Sequence, residues 1–145
     1  MERSAISLAR KEGSAGRSRM MRAVKSSDTE PERRVAVWLE KARFKVERNF
    51  KVLPGSPDFV LRRRRLVIFI HGCFWHSHSC SRGMRKPKTN KRFWRLKLDS
   101  NRKRDRRNVA ALKKLGWQVI TIWACDLGKP STRTRLIDQI RKAAR

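Results

Sequence analysis

Ten consecutive residues, His71–Cys80, contain all three histidines of the chain and two of its three cysteines. The third cysteine, Cys125, lies far along the chain, just after a predicted strand. Histidine and cysteine supply the ligands of structural zinc sites, in which four nitrogen or sulfur atoms surround the ion as a tetrahedron. A zinc ion shared by this loop and Cys125 would join two distant parts of the chain. No other feature of the sequence constrains the fold as strongly.

Two ligand sets are compatible with the spacing. The preferred set contains three cysteines and one histidine: Cys73, His78, Cys80 and Cys125. The second set has His76 in place of His78, and the remaining alternative is a loop of unligated thiols and imidazoles. Three thiolates and one imidazole leave no open coordination position, so this zinc would be structural. It would stabilise a small domain that has a long loop.

His71 and His76 stay free in the preferred ligand set. Imidazole titrates near neutral pH, so two free histidines beside a basic loop are candidates for proton transfer at a phosphate. The alternative is that one of them only hydrogen-bonds a phosphate or a backbone carbonyl.

Hydrophobic spacing and turn residues predict the order α-β-β-β-α-β-α. The first helix begins at Thr29, where Thr29 to Glu32 has capping-box spacing with a proline in the first turn. Two more helices are expected, from about Asn90, capped by Thr89, to Leu115, and from Leu136 to Ala144. The predicted strands are Phe44–Arg48, Asp58–Leu61, Leu66–Ile70 and Trp117–Trp123.

These elements indicate an α/β (α+β) fold with a mixed central sheet flanked by helices. Leu66–Ile70 is a continuous apolar run, typical of a strand that is buried on both faces. A basic connection, Arg62–Arg65, precedes it, and Gly72–Lys88 is expected to be an irregular loop tied down by zinc. Residues 1–19 are polar and basic and predict a flexible arm that orders on a ligand. Residues 20–145 are expected to form a single domain.

The charge of the chain points to a polyanionic partner. Lysine and arginine number 39 against 12 aspartate and glutamate residues, a formal net charge of +27. Nucleic acid is the first interpretation, because such a field favours counterion release on binding. Ribosomal packing or a membrane surface are the alternatives. No apolar run approaches the ~20 residues of a membrane span. With no signal-like start and an odd number of cysteines, we expect a cytoplasmic protein.

Acidic residues are scarce, so each is informative. Asp58 follows Pro57 at the start of a strand, where it could hold Mg2+ against a phosphate. The alternative is an aspartate that only caps a turn. Glu32 is a second candidate near the metal, although its capping-box role is sufficient to explain it. Asp105 is interpreted as an organiser of ion pairs in the basic helix.

Aromatic and basic residues suggest how DNA would be bound. Phe74 and Trp75 lie in the His-Cys loop, where they could enter the base stack as wedges or pack beneath the loop. Residues 82–107 are crowded with lysine and arginine that should contact phosphates. Lys97 and Asn101 could reach base edges among them.

The chain resembles the very-short-patch repair endonucleases, a branch of the PD-(D/E)xK nuclease fold. The resemblance spans about Met20 to Cys125, and its most specific segment is His71–His76. The other segments that carry it are Met21–Ala23, Thr29–Arg33, Pro54–Val60, Val67–Ile70, Phe93–Trp94, Arg104–Arg107 and Leu115–Trp117.

The resemblance implies a restriction-endonuclease-like core and a Mg2+-dependent active site. Asp58 and the backbone carbonyl of Ile70 would bind Mg2+, with Glu32 in support. His71 would lie near the attacking water, where related nucleases carry a lysine. His76 would assist at the scissile phosphate or the leaving group.

The resemblance also implies the substrate. Family members nick duplex DNA on the 5′ side of the T in a T·G mismatch, which arises when 5-methylcytosine deaminates, and leave a 3′-hydroxyl and a 5′-phosphate. Phe74 and Trp75, with Met21 from the arm, would be the wedge, and Lys97 and Asn101 would approach bases. Zinc would occupy the preferred Cys3His set. A monomer is expected, with other mismatch-repair proteins as possible partners.

One departure from the family pattern concerns the active site. Ile70 stands where the best-known members have threonine, which is harmless if only the backbone carbonyl binds metal. Two alternatives to the mismatch endonuclease therefore stay open. One is a zinc-stapled DNA-binding protein without catalysis, and the other is a restriction-like nuclease that acts on matched DNA.

Overall fold

The structure, a computed structural model, describes residues 28–143. The predicted arm at residues 1–19 and the wedge residue Met21 lie outside this range. The helices are α1 (Glu30–Lys41), α2 (Ser81–Met84), α3 (Lys91–Lys114) and α4 (Pro130–Lys142). The strands are β1 (Glu47–Arg48), β2 (Phe59–Leu61), β3 (Leu66–His71) and β4 (Gln118–Trp123). Short 3-10 turns cover Arg62–Arg64 and Ala124–Asp126.

The strands form one mixed sheet in the order β1-β2-β3-β4. The first three strands are antiparallel, and β4 runs parallel to β3 with Leu66 opposite Gln118 and His71 opposite Trp123. A parallel neighbour requires a long crossover, which α2 and α3 provide. The predicted α/β fold with a mixed sheet flanked by helices is therefore confirmed.

Both faces of the sheet are covered, as the unbroken apolar run of β3 predicts. Leu66 and Ile68 face α1 and α4, where they pack against Val35, Leu39 and Ile140. Val67 and Phe69 point the other way and pack against Leu112 of α3. The sheet thus lies between two helical layers. No helix among residues 28–143 is long and apolar enough to cross a membrane.

The predicted ends of two helices are confirmed. The side chain of Thr29 accepts a hydrogen bond from the backbone N–H of Glu32 at 3.4 Å, and proline occupies the first turn of α1. Helix α3 stops at Leu115 because Gly116 takes a φ of 87°, a conformation that suits glycine.

The first predicted strand is wrong in extent, since only Glu47–Arg48 of Phe44–Arg48 is extended and paired. Arg43 takes a left-handed φ of 61°, and the N–H of Phe44 bonds to the carbonyl of Leu39 at 3.0 Å. The turn that ends helix α1 therefore includes Phe44, which the sequence pattern assigns to a strand.

Three other boundaries differ from prediction. Asn90, not Thr89, precedes α3, and its φ of 52° provides the turn without a side-chain cap. Helix α4 begins at Pro130, well before Leu136, because proline suits the first turn of a helix. The loop expected at residues 72–88 contains α2, whose N-cap is Cys80.

Candidate active site

The start of β2 and the end of β3 lie side by side because the two strands are antiparallel. Asp58 directly precedes β2 and His71 ends β3, so both reach the same edge of the sheet. There they help to line a cavity of about 820 Å³. The acids and bases in its wall are Glu32, Asp58, His71, His76, Arg104 and Asp105.

Asp58 is held by the backbone of the neighbouring strand. Its Oδ2 accepts a hydrogen bond from the N–H of Ile70 at 2.6 Å. Burial raises the pKa of Asp58 from 3.8 to about 6; the Ile70 N–H opposes this rise, and the nearby charge of Glu32 adds to it. The charges of His76 and Arg48 also act to lower this pKa, but they do not outweigh burial, so a divalent metal would stabilise the ionised carboxylate further.

Glu32 caps helix α1 and also lines the cavity. It is 5% exposed and accepts hydrogen bonds from the backbone N–H of Asp28 at 2.9 Å and the hydroxyl of Thr29 at 3.3 Å. These contacts complete the capping box at the start of α1. The same side chain lines the cavity and acts electrostatically on Asp58.

His71 and His76 stack face to face. Their ring centroids are 3.8 Å apart and the planes differ by 1°. Burial, together with the charge of His76, lowers the pKa of His71 to about 4, so His71 is neutral at neutral pH. One ligand atom each from His71, His76 and Asp105 lies within 4.8 Å of the others, so these three side chains form a second group that could hold a metal ion. In the arrangement seen, the parallel rings of the two histidines do not both direct an in-plane lone pair at one point.

Asp105 holds the outer histidine of this stack. One of its carboxylate oxygens lies 2.5 Å from Nδ1 of His76. Burial acts to raise the pKa of Asp105, but the hydrogen bond and charge of His76 outweigh it and keep that pKa below its usual value. An ionised carboxylate on Nδ1 orients the imidazole of His76.

Asn101 lies one turn before Asp105 on α3 and faces the same loop. It is 5% exposed, and its Nδ2 donates to the carbonyl of Trp75 at 3.1 Å. The guanidinium of Arg104 donates to its Oδ1 at 3.2 Å. The structure thus places Asn101 under the loop, whereas Lys97 lies one turn earlier and is half-buried. The base contacts predicted for both residues stay predictions.

Phe74 and Trp75 form an aromatic cluster with the start of α3. The ring centroids of both lie within 5.8 Å of that of Trp94, which is buried, and Phe93 packs beside it. Phe74 and Trp75 themselves stay half-buried. They are therefore packed against α3 yet accessible, and Trp94 joins the cluster that sequence analysis limited to two residues.

The four preferred zinc ligands converge, although they come from distant parts of the chain. One ligand atom from each lies within 4.8 Å of all the others: Cys73, His78, Cys80 and Cys125. A tetrahedral zinc with sulfur ligands at about 2.3 Å needs ligand atoms roughly 3.8 Å apart. Nδ1 of His78 and Sγ of Cys125 are already 3.4 Å apart. The Cys3His group could therefore bind a metal.

The alternative set containing His76 does not assemble. Ser77 takes a left-handed φ of 52° between the two histidines. His76 consequently contacts Asp105 and His71, while His78 contacts Cys125. One tight turn separates the candidate active site from the candidate zinc site.

Comparison with known proteins decides the family. A profile of the family described as DNA mismatch endonuclease Vsr matches residues 11–82. The DNA mismatch endonuclease Vsr of Escherichia coli K12 is 43% identical over 113 residues, which are 78% of this chain and 72% of that enzyme. A type II nicking enzyme of Xanthomonas oryzae pv. oryzae is 43% identical over 121 residues, covering 81% of this chain and 88% of its own.

The chain belongs to the Vsr mismatch endonuclease family. It is thus a DNA endonuclease, as the resemblance implied. The catalytic domain of the homing endonuclease I-Bth0305I superposes with a TM-score of 0.50 at 24% identity, covering 80% of this chain and 94% of that domain. This second likeness shows a shared nuclease fold.

Two features of this Vsr-family site were missed by the sequence analysis. Asp105 was interpreted as an ion-pair organiser, but its partner is a histidine of the cavity. Gly83 was not considered, yet a side chain there would overlap the backbone carbonyl of His78. Its N–H donates to Sγ of Cys80 at 3.5 Å, and this bond, together with hydrogen bonds from His78, Cys73 and Cys125, lowers the pKa of Cys80 to about 6 against the opposing effect of burial. Cys80 thereby becomes a ready thiolate ligand.

Proposed function

We propose that this Vsr-family enzyme uses Mg2+ to nick duplex DNA on the 5′ side of the T in a T·G mismatch. The observation that carries the proposal is the joint presence of a buried carboxylate, Asp58, and the stacked pair His71 and His76 in one cavity. A protein that only bound DNA would have no use for this arrangement. The products are a 3′-hydroxyl and a 5′-phosphate.

Oxygen ligands favour Mg2+ at Asp58. The ligands would be the Asp58 carboxylate and the backbone carbonyl of Ile70, with Glu32 in support. Hard oxygen donors and few protein ligands suit Mg2+, which keeps several waters. Bound there, the ion supplies Lewis acidity at the phosphate and lowers the pKa of a bound water. Because only the backbone of Ile70 is used, isoleucine at this position is compatible with activity.

The two histidines have different proton roles. His71 is neutral at neutral pH because burial lowers its pKa to about 4, so it can accept a proton near the attacking water. His76 is oriented by Asp105 and can donate a proton to the leaving 3′-oxygen. Charge on His76 disfavours a second charge on His71, since the rings are 3.8 Å apart. The stack therefore keeps His71 as the proton acceptor and His76 as the proton donor.

Selectivity for a mismatch would come from the aromatic cluster. Phe74 and Trp75, with Met21 of the arm, would enter the base stack, where a mispaired step costs least to open. Lys97 and Asn101 would approach the bases. The many cations of α3 would contact phosphates and position the duplex.

Zinc in the Cys3His group would serve as a structural ion. Burial and the neighbouring thiols raise the pKa of Cys125 to about 12, so its thiolate would form only with a cation beside it. Residues 20–145 would form one endonuclease domain. A monomer suffices to nick one strand. Other mismatch-repair proteins are candidate partners.

A nicking assay tests the proposal. End-labelled duplexes with T·G, C·G or T·A at one position are incubated with Mg2+ or with chelator, alongside the Asp58→Ala variant. We expect a nick 5′ to the mismatched T that chelator and the variant both abolish. Equal cutting of matched duplexes would favour a restriction-like nuclease. Tight binding without any cutting would favour the non-catalytic DNA-binding protein.

A further inference from the structure

Trp123 occupies a junction between the two candidate sites. It is the last residue of β4 and lies opposite His71 in the parallel register. Two residues later the chain provides Cys125 to the zinc ligand group. The side chain of Trp123 is half-buried.

The indole of Trp123 contacts rings from both sites. It stacks on the imidazole of His78, with centroids 4.1 Å apart and planes 14° apart. It also meets His71 at 5.2 Å and 73°, and His76 at 6.4 Å and 72°. Four aromatic rings therefore form a continuous array from a zinc-ligand histidine to the His71–His76 stack.

We propose that Trp123 is a positioning residue that couples His78 of the zinc group to the two histidines of the active site. This inference rests on the proposed function, in which His71 and His76 transfer protons. It assigns the zinc group a task beyond stapling the loop, because a metal-bound imidazole cannot rotate and so fixes the indole stacked on it.

The physical reason is that packing, and not hydrogen bonding, orients the His71 ring. Hydrogen bonds hold His76 through Asp105, but no hydrogen bond of the His71 ring is seen among the described residues. The orientation of His71 therefore depends on packing against Phe69, His76 and Trp123. Removing the indole would let this ring tilt out of the stack. Misplacing a reacting group by about 1 Å can cost roughly 100-fold in rate.

The experiment compares Trp123→Leu and Trp123→Phe with a matched control, Trp117→Leu. Trp117 is also half-buried and precedes the other end of β4, where its ring contacts the guanidinium of Arg65. For each protein we would measure bound zinc, DNA affinity and the single-turnover nicking rate on a T·G duplex, below the melting temperature of every variant.

We expect Trp123→Leu to keep one zinc and its DNA affinity while its nicking rate falls roughly 10- to 100-fold. Trp123→Phe should recover most of the rate because a ring is restored, and Trp117→Leu should stay within about threefold of wild type. A Trp123→Leu rate equal to that of the control, or equal loss of rate and DNA affinity, would overturn the inference.

A second variant tests the path through the zinc group. His78→Cys keeps four zinc ligands but removes the stacked imidazole. If the indole acts through His78, the double variant with Trp123→Leu should be no slower than the slower single variant. A double variant whose loss of nicking rate equals the product of the two single losses would contradict the coupling.

One readout does not depend on nicking. Imidazole resonances in zinc-loaded protein report the His71 and His76 rings directly, and both His78→Cys and Trp123→Leu should shift them. Unshifted resonances in both variants would overturn the inference. Failure of wild-type protein to nick would instead count against the proposed function, so the two failures are distinguishable.

Discussion

Asn101 and Asp105 lie one helical turn apart on α3 and hold neighbouring parts of the same loop. Asn101 donates a hydrogen bond to the carbonyl of Trp75 at 3.1 Å, and Asp105 lies 2.5 Å from Nδ1 of His76. One face of one helix therefore fixes both the backbone before His76 and its ring. An insertion or slip in α3 would disturb the two contacts together.

The Asn101 contact gives a first prediction. Asn101→Asp keeps an acceptor for Arg104 but loses the donor to the carbonyl of Trp75. We expect the single-turnover nicking rate to fall about 10-fold, since losing such a buried hydrogen bond costs about 1–3 kcal/mol. The preference for T·G over matched DNA should be retained. A normal rate with lost preference would instead show that Asn101 acts through the bases.

Asp105 should affect the nicking rate and should have little effect on DNA affinity. Asp105→Asn removes the carboxylate that orients the His76 ring, so we expect nicking to slow by roughly 100-fold or more. Asp99→Asn, an exposed position on the same helix, is the matched control and should be unaffected. DNA affinity of both variants would be measured in parallel. Equal nicking rates of the two variants would rule out this role for Asp105.

The buried carboxylate of Asp58 predicts a pH dependence of stability. Its folded-state pKa is raised to about 6, while the unfolded chain keeps about 3.8, so the folded protein holds the proton more tightly. In metal-free protein its contribution is therefore most favourable below about pH 4 and is lost as the pH rises to about 6.

Asp58→Asn removes this effect and keeps an acceptor for the N–H of Ile70. At pH 7 without Mg2+, the variant should be more stable than wild type by on the order of 1–2 kcal/mol. Thermal unfolding from pH 4 to pH 7 would measure the difference, which should grow with pH. Adding Mg2+ should stabilise wild type alone. A variant that melts below wild type at pH 7 would contradict the prediction.

Gly83 should be essential for the zinc loop. Gly83→Ala places a methyl group on the backbone of His78, so we expect a loss of about 2 kcal/mol or more in unfolding free energy. Bound zinc should be released faster to a chelator. Gly128→Ala is the control, because a Cβ there meets nothing within 4 Å. If the two variants have similar unfolding free energies and release zinc at similar rates, the loop accommodates the added methyl group and the prediction is wrong.

Local patterns predicted much of this fold. The apolar run ending at Ile70 identified a strand buried on both faces, and Thr29 and Gly116 marked helix ends, because each signal depends on neighbouring residues. Phe44 was misassigned since alternation cannot show that Arg43 adopts a left-handed turn. The convergence of Cys73, His78, Cys80 and Cys125 was predicted because histidine and cysteine are rare in this chain and concentrated in one segment, while zinc as their ion stays a prediction.

Other site residues depend on tertiary contacts. Asp105 lies among arginines, so sequence favours an ion pair, and only the packing of α3 shows that it meets His76. The same holds for Trp123, whose aromatic character suits a core strand equally well. Gly83 could have been suspected only from its closeness to Cys80. Such residues act across the fold, and spacing along the chain does not encode their partners.

The most direct test of the central claim is nicking of a T·G duplex in water enriched in oxygen-18, with the products analysed by mass spectrometry. Attack of water on the phosphorus, with the 3′-oxygen as leaving group, predicts one heavy oxygen on a new 5′-phosphate at the mismatched T. Neither matched duplexes nor the Asp58→Ala variant should give that product. Label on a 3′-phosphate, or the same labelled product from matched DNA, would contradict the account.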